Sequence, residues 1–313
     1  MSVAPDAPDD AAVPPLPPAG EGGGEGKRGS TPARTAASPL IHTFAIVAFA
    51  FLLSRAIIFA VWFGVLQYPM PSAETEPNWW EPKLVLTAPG FGDSLAGLVR
   101  LYDASWYATI AEHGYDAGPF DASAQHNWAF FPLHPLLWRA AAAATGEFAL
   151  TGIALANLCF LVALVVVHRV ALALDLAPAA ADRAVLALAL FPASYFFALP
   201  WTESLFLLLS ASCFLAALRE RWWLAGVLAA LASITRLNGL FLVAALAILL
   251  WQARDRTPRR AWIALAIAPL AFAGFAAHLY AVTGDALAFV HIQGAFAPPG
   301  HRTVEAGKGA IRR

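Results

Sequence analysis

The chain has 313 residues, of which 59% are hydrophobic, and a formal net charge of −1. Stretches such as 40–66 are long enough to cross a hydrocarbon core of about 30 Å, which needs about 20 apolar residues, and several such stretches follow one another. The composition therefore indicates an all-α polytopic membrane protein and argues against a water-soluble globular domain.

The first 38 residues are rich in Pro, Ala, Gly and Asp and contain no apolar run. Such a segment cannot build a core, so residues 1–38 are predicted to be a disordered cytosolic tail. A signal peptide would place its apolar stretch nearer the N-terminus, and 40–66 is therefore expected to be a retained helix. A transmembrane domain over 39–295 and a short C-terminal tail over 296–313 complete the predicted organisation.

Apolar runs predict the membrane spans that make up this domain. The segment 130–144 is also apolar, but Pro132 and Pro135 are expected to break its helix, which favours a short or re-entrant helix on one side of the membrane. Some other spans are short for a full crossing and need local thinning or tilt. The spans are predicted at 40–66, 148–172, 184–199, 203–219, 222–236, 238–252 and 261–282.

Positive charges flank the predicted spans at 27–34, 169–183, 219–221 and 254–260. Because Lys and Arg collect on the cytosolic side of membrane proteins, these segments set the orientation of the chain. The acidic segment 67–127 then becomes a large non-cytosolic first loop. The polar residues of the later turns gather on the same outer face.

The stretch YDASWYATIAEHGY (102–115) repeats aromatic and apolar residues at helical spacing, which is typical of an amphipathic helix lying in the membrane interface. Asp103 falls at or near its N-terminus. Its carboxylate has two interpretations: a cap on the helix, or a general base held at the membrane surface with a raised pKa. Trp106 and Tyr107, beside it, are assigned to substrate binding.

Three further motifs place polar residues at the predicted outer face. His134 has two interpretations. It binds a phosphate or a sugar hydroxyl, or it is a structural histidine at the membrane interface whose hydrogen bonds are made within the protein. Glu203 is at the start of a predicted span. It either caps that helix or has a functional role, since burying an acid at this depth of the membrane is costly. Arg236 and Asn238 lie between two apolar stretches, where a phosphate or carboxylate partner would explain an arginine away from the cytosolic side.

Other chemistry is not indicated by the spacing of the residues. No cluster has zinc-ligand spacing, and there is neither a phosphate-binding glycine loop nor a basic aromatic patch for nucleic acid. Cys159 and Cys213 both lie inside apolar segments, where a lone cysteine behaves as a small hydrophobe.

Five motifs in order carry a family resemblance. They are YDASWYATIAEHGY, AFFPLHPLLWR, FPASYFFALPWTESLFLLLS, TRLNGL and TGDALAF. Over about residues 40–295 the chain resembles the phosphatidylinositol-glycan class V family, which comprises GPI mannosyltransferase 2 and its prokaryotic relatives. The resemblance implies the C-type glycosyltransferase fold, here a bundle of about seven or eight transmembrane helices. It also implies a lipid-linked donor, polyprenyl- or dolichyl-phosphate mannose, used at the non-cytosolic face.

The resemblance makes Asp103 the catalytic acid of the first outer loop. Mannose would pass with inversion to a hydroxyl of a glycan or glycolipid, with Asp103 as general base. Charge on the leaving phosphate needs fixed positive groups, for which Arg236 is the first choice, Arg100 the second and His134 the third. Glu203 would either bind the acceptor or support a residue that contacts the substrate. A monophosphate leaving group requires neither a metal nor a cofactor, although the acidic loop leaves a divalent metal open.

Two alternatives stay open. A transporter or lipid flippase would share the polytopic pattern, but its ionisable residues would lie deeper and in paired repeats. A truncated or non-catalytic subunit of a glycosylation complex, with a small membrane partner, would fit two departures from the family. The family pattern Arg–aromatic–Asp reads Leu101–Tyr102–Asp103 here, with Arg100 one place early, and the chain stops soon after Gln293. The composition favours a prokaryotic plasma membrane, or the endoplasmic reticulum if the source is eukaryotic.

Overall fold

The computed structural model describes residues 39–66 and 97–296, and within these ranges the regular structure is helical, without a strand. The expectation of an all-α chain is therefore confirmed for this part of the protein. The helices are α1 (Pro39–Leu66), α2 (Asp103–His113), α3 (Leu133–Thr145), α4 (Phe148–Ala173), α5 (Pro178–Leu190), α6 (Glu203–Leu218), α7 (Trp222–Ser233), α8 (Phe241–Gln252), α9 (Ile267–Thr283) and α10 (Ala288–His291).

Three of the described helical stretches are long and apolar enough to cross a membrane. They are Leu40–Val65 in α1, Phe148–Ala173 in α4, and Arg259–Thr283, in which a 3₁₀ segment leads into α9. Their lengths of 26, 26 and 25 residues exceed the 20 or so that a bilayer core requires. Shorter apolar helices lie at Glu203–Leu218, Trp222–Ser233 and Leu237–Gln252.

The outer surface of α1 is apolar. Val47 and Ala50 are buried against Phe160 of α4 and Val185 of α5. The remaining faces expose large hydrophobic side chains, among them Ile41, Phe44, Phe49, Leu52, Ile57 and Val61. An exposed apolar surface of this size is unfavourable in water and favourable against lipid. The exposed face of α1 therefore supports its assignment as a membrane span.

Helix α4 lies at the centre of the bundle and packs against α1, α3, α5 and α6. Helix α6 continues the bundle through α7 to α9, and α2 packs on α3. One contact fixes the angle of α3: the indole of Trp138 covers Gly152, where an added Cβ would lie 2.3 Å from the ring. Only glycine accommodates this approach, so α3 is held close against the start of α4.

The predicted span 184–199 is wrong. The helix in this region is α5, which begins at Pro178 and ends at Leu190, and a 3₁₀ segment covers Pro192–Phe197. Pro192 disfavours a helical conformation in the residue before it and has no N–H to donate. The apolar run 184–199 consequently folds as the end of one helix and a turn.

The predicted break in 130–144 is also wrong. Helix α3 begins at Leu133, with Pro132 as its N-cap and Pro135 in its first turn. Proline is tolerated there because the first amides of a helix have no intrahelical acceptor. The two prolines thus mark the start of a short helix of 13 residues.

The other predicted segments are helical with shifted ends, and three of them are long enough to span a membrane. Predictions 40–66, 148–172 and 203–219 match α1, α4 and α6 to within a residue or so, and α7 ends three residues before the predicted 236. Segments 238–252 and 261–282 each begin in a 3₁₀ turn before α8 and α9. The predicted tail 1–38, the predicted tail 296–313 apart from Phe296, and the part of the outer loop over 67–96 lie outside the described residues.

Candidate active site

Asp103 is the first residue of α2, as the sequence indicated, and its side chain is exposed. Helix α2 has no side-chain cap hydrogen bond, and among the described residues the Asp103 carboxylate has neither a hydrogen-bond donor nor an ion-pair partner. A capping carboxylate would be engaged with a backbone amide of the first turn. The structure therefore leaves this carboxylate available to another group.

The backbone before Asp103 is strained. Tyr102 has φ of +49° and ψ of −126°, a region that non-glycine residues rarely occupy. The Trp201 indole holds this turn, because its Nε1 donates a 3.2 Å hydrogen bond to the Leu101 carbonyl. Its ring also meets the Tyr102 ring edge-on, with centroids 6.3 Å apart. The turn before α6 thus sets the position from which Asp103 projects.

Glu203 and Arg236 form an ion pair. Nη1 of Arg236 donates to Oε1 of Glu203 and, over 3.0 Å, to the hydroxyl of Thr202. The second carboxylate oxygen of Glu203 is buried and has no hydrogen-bond partner within the described ranges. Because α6 begins at Glu203 and Arg236 follows the end of α7, the pair ties two helix ends together at one side of the bundle.

Tyr107 completes this polar group. Its hydroxyl lies 3.5 Å from the hydroxyl of Thr202, and its side chain is buried. Burial raises the pKa of Tyr107, with a smaller contribution from the negative charge of Asp103. The phenol therefore keeps its proton and can donate a hydrogen bond to a ligand or to Thr202.

The pKa of Asp103 is raised above the usual value of a carboxyl. Partial desolvation by the surrounding protein atoms is the main cause although the residue keeps an exposed face, and the negative charge of Glu203 adds to it. The positive charge of Arg236 acts in the opposite direction. A carboxylate in these surroundings is more basic than one in water, which is the property that a general base needs.

The position of Arg236 depends on Gly239. A Cβ at Gly239 would lie 2.3 Å from the backbone of Ala232 and Ser233, so only glycine lets this 3₁₀ turn pack on the end of α7. Ile234, in the same turn, accepts a 3.0 Å hydrogen bond from the amide of Leu133. The TRLNGL motif is thereby locked to the start of α3.

Within the described ranges, no hydrogen bond or ion pair joins Asp103 to the other residues assigned from the sequence. His134 is completely buried, and neither of its ring nitrogens has a hydrogen-bond partner in the described part of the chain. Trp106 stacks on Phe130 with ring centroids 5.7 Å apart. Arg100 and Asn238 are both exposed. The substrate-binding roles of these four residues stay predictions.

A family model described as "Mannosyltransferase (PIG-V)" matches residues 44–294. The chain belongs to this family. The resemblance inferred from the five motifs is therefore confirmed, and every described residue of the site lies within the matched region.

Curated relatives of this PIG-V family member include mammalian proteins named GPI alpha-1,6-mannosyltransferase 2. The protein of Rattus norvegicus is 35% identical over 158 residues, which is 47% of this chain and 31% of the relative. That of Mus musculus is 36% identical over 156 residues, or 47% and 30% of the two chains. The aligned part thus spans about a third of the length of these relatives. The search of solved structures found no match.

Two residues of this family member were not identified from the sequence. Thr202, beside Glu203 in the same motif, accepts a hydrogen bond from Arg236. Arg55 lies within the span α1 and is 6% exposed. Its Nη1 donates to Asn157 and its Nη2 donates to the Ser194 carbonyl. A charge inside an apolar run is the signal that could have identified Arg55.

A cavity of about 410 Å³ lies beside the site in this PIG-V family member. Ile234, which precedes the turn that carries Arg236, lines the cavity. Most of the cavity wall is apolar. Helix α3 forms one side through Pro132, Leu136 and Arg139, and α9 forms the other through Phe275 and His278. The cavity therefore offers room for an apolar chain.

Among the described residues, no group of three or more His, Cys, Asp or Glu side chains is placed to hold a metal ion. Several acidic residues of the predicted outer loop, including Glu74, Glu76 and Glu81, lie outside the described ranges. The expectation that the chemistry needs neither a metal nor a cofactor stays a prediction.

Proposed function

We propose that this protein transfers mannose from polyprenyl- or dolichyl-phosphate mannose to a hydroxyl of a glycan or glycolipid, with inversion at the anomeric carbon. Asp103 accepts the proton of the acceptor hydroxyl while its oxygen bonds to the anomeric carbon. The bond from that carbon to the phosphate oxygen breaks, and the lipid phosphate leaves. Membership of the PIG-V family and the names of its mammalian relatives support mannose as the sugar.

The unpartnered carboxylate of Asp103 is the observation that carries this proposal. It lies at the start of an interfacial helix, and its pKa is raised by desolvation and by Glu203. A structural carboxylate on a helix terminus would be paired or would cap the helix. A carboxylate with a raised pKa and no partner suits proton abstraction near neutral pH.

Arg236 supports the same reaction from the leaving-group side. Its charge reaches Asp103 closely enough to affect the carboxyl pKa, so a sugar–phosphate bond that meets Asp103 also lies near this guanidinium. Thr202 and Glu203 orient the guanidinium before the substrate arrives, and preorganised positive charge of this kind stabilises developing negative charge in a transition state. Glu203 then serves as a positioning carboxylate that holds the guanidinium.

The apolar cavity beside Ile234 is proposed to receive the isoprenoid chain of the donor. Its wall includes Pro132 and Leu136 of the α3 region, and Ile234 brings it to within two residues of Arg236 in sequence. The chain would then lie between α3 and α9.

The order of the helices supports a non-cytosolic position for the site. Glu203 at the start of α6 and Arg236 after α7 lie at one end of this helix pair, whereas 219–221 form the turn at the other end. Arginines of that turn mark the cytosolic side, so the site is proposed to face the non-cytosolic side of a prokaryotic plasma membrane. The shorter helices would complete a C-type glycosyltransferase bundle of seven or eight spans.

The proposal is tested by mannose transfer from radiolabelled polyprenyl-phosphate mannose in membranes that carry the wild-type protein, Asp103→Asn or Glu112→Gln. Glu112 is an exposed acid on the same helix and serves as the matched control. We expect transfer by the wild type and the control, and a loss of about two orders of magnitude or more in Asp103→Asn, the range attributed to a general base.

Other outcomes separate the alternatives. Equal transfer by Asp103→Asn and the wild type would remove Asp103 from the mechanism. If no variant transfers mannose to any of a range of acceptors, the reading as a non-catalytic subunit replaces the enzyme. Movement of the labelled lipid between leaflets without transfer would instead identify a flippase.

A further inference from the structure

A second cavity, of about 390 Å³, lies at the end of the bundle away from Asp103. It is enclosed by the turn between α6 and α7 and by the segment that joins α8 to the Arg259–Ala266 3₁₀ segment. Helix α6 has 16 residues and is therefore about 24 Å long, which separates this cavity from Glu203. The cavity is lined by Glu220, Arg221, Trp222, Trp223, Leu224, Arg256, Thr257, Pro258, Arg260 and Ala261.

Positive charge dominates the wall of this cavity. Arg256 donates to the Glu220 carboxylate and is neutralised by it. Arg221 and Arg260 are exposed and have no acidic partner among the described residues. Two uncompensated guanidinium groups on one concave surface attract an anion, and guanidinium is well matched to phosphate oxygens.

Unused hydrogen-bond donors lie in the same wall. Nε1 of Trp222 and Oγ1 of Thr257 are buried without a hydrogen-bond partner in the part of the chain that the structure describes, and the two residues are 7% and 8% exposed. A buried donor without an acceptor costs about 1–3 kcal/mol, so a native ligand is a natural explanation. Helix α7 also begins at Trp222, and its N-cap Arg221 provides no side-chain acceptor for the first amides, which favours an anion at that point.

The rim of the cavity is apolar. Trp223 is 49% exposed and Leu224 is 46% exposed, directly after the two residues that carry the positive charge and the unused donor. Tryptophan beside arginine is typical of the region where a membrane surface meets water. A free phosphate ion would make no use of these side chains, whereas a lipid would cover them with its acyl chains.

We propose that this cavity binds the phosphate of an anionic phospholipid headgroup. Arg221 and Arg260 hold the phosphate oxygens, Trp222 and Thr257 lie behind them as donors, and Trp223 and Leu224 contact the acyl chains. The site shares no residue with the Asp103 group. It is a lipid site on the opposite face of the bundle, independent of mannose transfer.

Native mass spectrometry of the full chain tests the proposal. Protein in neutral detergent is titrated with short-chain phosphatidylglycerol, with phosphatidylcholine of the same chain length, and with inorganic phosphate. The test variant is Arg221→Gln/Arg260→Gln. The control is Arg219→Gln/Arg254→Gln, which removes two exposed arginines from the same face without touching the cavity. Melting temperatures without lipid confirm that each variant folds.

We expect one phosphatidylglycerol retained by the wild type and the control. The affinity of the test variant should fall by about fivefold for each arginine removed, the effect of one basic residue at an anionic membrane surface. Equal losses in both double variants would show diffuse surface attraction and overturn the site, as would equal retention of phosphatidylcholine. Binding of inorganic phosphate as tight as that of the lipid would overturn the lipid as occupant. A folded test variant that binds like the wild type would overturn the roles of Arg221 and Arg260.

Discussion

The guanidinium of Arg236 donates a hydrogen bond to the carboxylate of Glu203, although 33 positions separate the two residues in sequence. The same nitrogen bonds to Thr202, whose hydroxyl faces the phenol of Tyr107. One cation therefore links the end of α7, the start of α6 and helix α2, which begins at Asp103. The two charges of this pair also change the pKa of Asp103, which Glu203 raises and Arg236 lowers.

The Arg236–Glu203 pair is expected to stabilise the fold as well as the reaction. The side chains are 38% and 27% exposed, so breaking this charge-assisted contact in Arg236→Gln should cost about 1.5–3 kcal/mol of unfolding free energy. The double variant Arg236→Gln/Glu203→Gln should recover most of that cost, because no unpaired charge remains. Melting temperatures in detergent measure the stability of the single and the double variant. Adding Glu203→Gln completes a double-mutant cycle.

Mannose transfer separates the two roles of Arg236. The double variant should stay inactive despite its recovered stability, because the leaving phosphate then has no cation beside it. Activity that returns together with the melting temperature would limit Arg236 to a structural role.

The pH dependence of transfer should report the raised pKa of Asp103. A general base acts when ionised, so the rate is expected to fall as the pH drops through the pKa of this carboxyl, above the usual range for aspartate. Glu203→Gln removes a negative neighbour that raises this pKa and releases Arg236, which lowers it. The acidic limb of the kcat/KM profile should therefore move to lower pH in this variant. An unmoved limb would show that another group titrates.

Asp103→Asn is expected to keep or raise the melting temperature while transfer is lost. The pKa of Asp103 is higher in the folded chain than the usual value, so ionisation of this carboxyl disfavours the folded state. The amide removes that penalty at neutral pH, and the difference should vanish below the pKa of the unfolded carboxyl, where both side chains are neutral. A lower melting temperature at neutral pH would indicate a structural contact of the carboxylate.

Gly239→Ala should displace the turn that carries Arg236. The added Cβ would meet backbone atoms at 2.3 Å, and backbone cannot yield as a flexible side chain does, so both melting temperature and transfer should fall. Gly274→Ala is the matched control, because its Cβ meets nothing within 4 Å. There alanine should stabilise α9 by up to about 1 kcal/mol. Similar behaviour of the two variants would contradict the close approach at Gly239.

Arg55→Lys is expected to destabilise the bundle. One guanidinium reaches both Asn157 and the Ser194 carbonyl and lies 4.8 Å from the centre of the Phe160 ring. An ammonium cannot make this set of contacts, so a loss of about 1–3 kcal/mol is expected. Arg183→Lys, at an exposed position, should leave the melting temperature unchanged. Equal melting temperatures of Arg55→Lys and the wild type would show that the hydrogen bonds of this guanidinium do not stabilise the fold.

The helices of this chain were largely predictable because their apolar runs are long and uninterrupted. The structure of the run 184–199 was not predictable in this way, since hydrophobicity alone does not indicate that α5 ends before Pro192. The prolines of α3 were misjudged for the converse reason: proline disrupts a helix interior but is accommodated in the first turn. The ends of these helices are thus decided by backbone hydrogen bonding. A pattern of apolar residues is a poor predictor of that bonding.

The sequence by itself determined that the described chain is helical, that an acid opens a helix at Asp103, and that polar residues mark the ends of particular helices. These features depend on local composition and spacing. Only the tertiary structure decided that Arg236 pairs with Glu203, that Thr202 joins them to Tyr107, and that the Asp103 carboxylate has no partner among the described residues. The physical reason is that charge pairing and desolvation depend on distances between helix ends, and those distances are set by how the whole bundle packs.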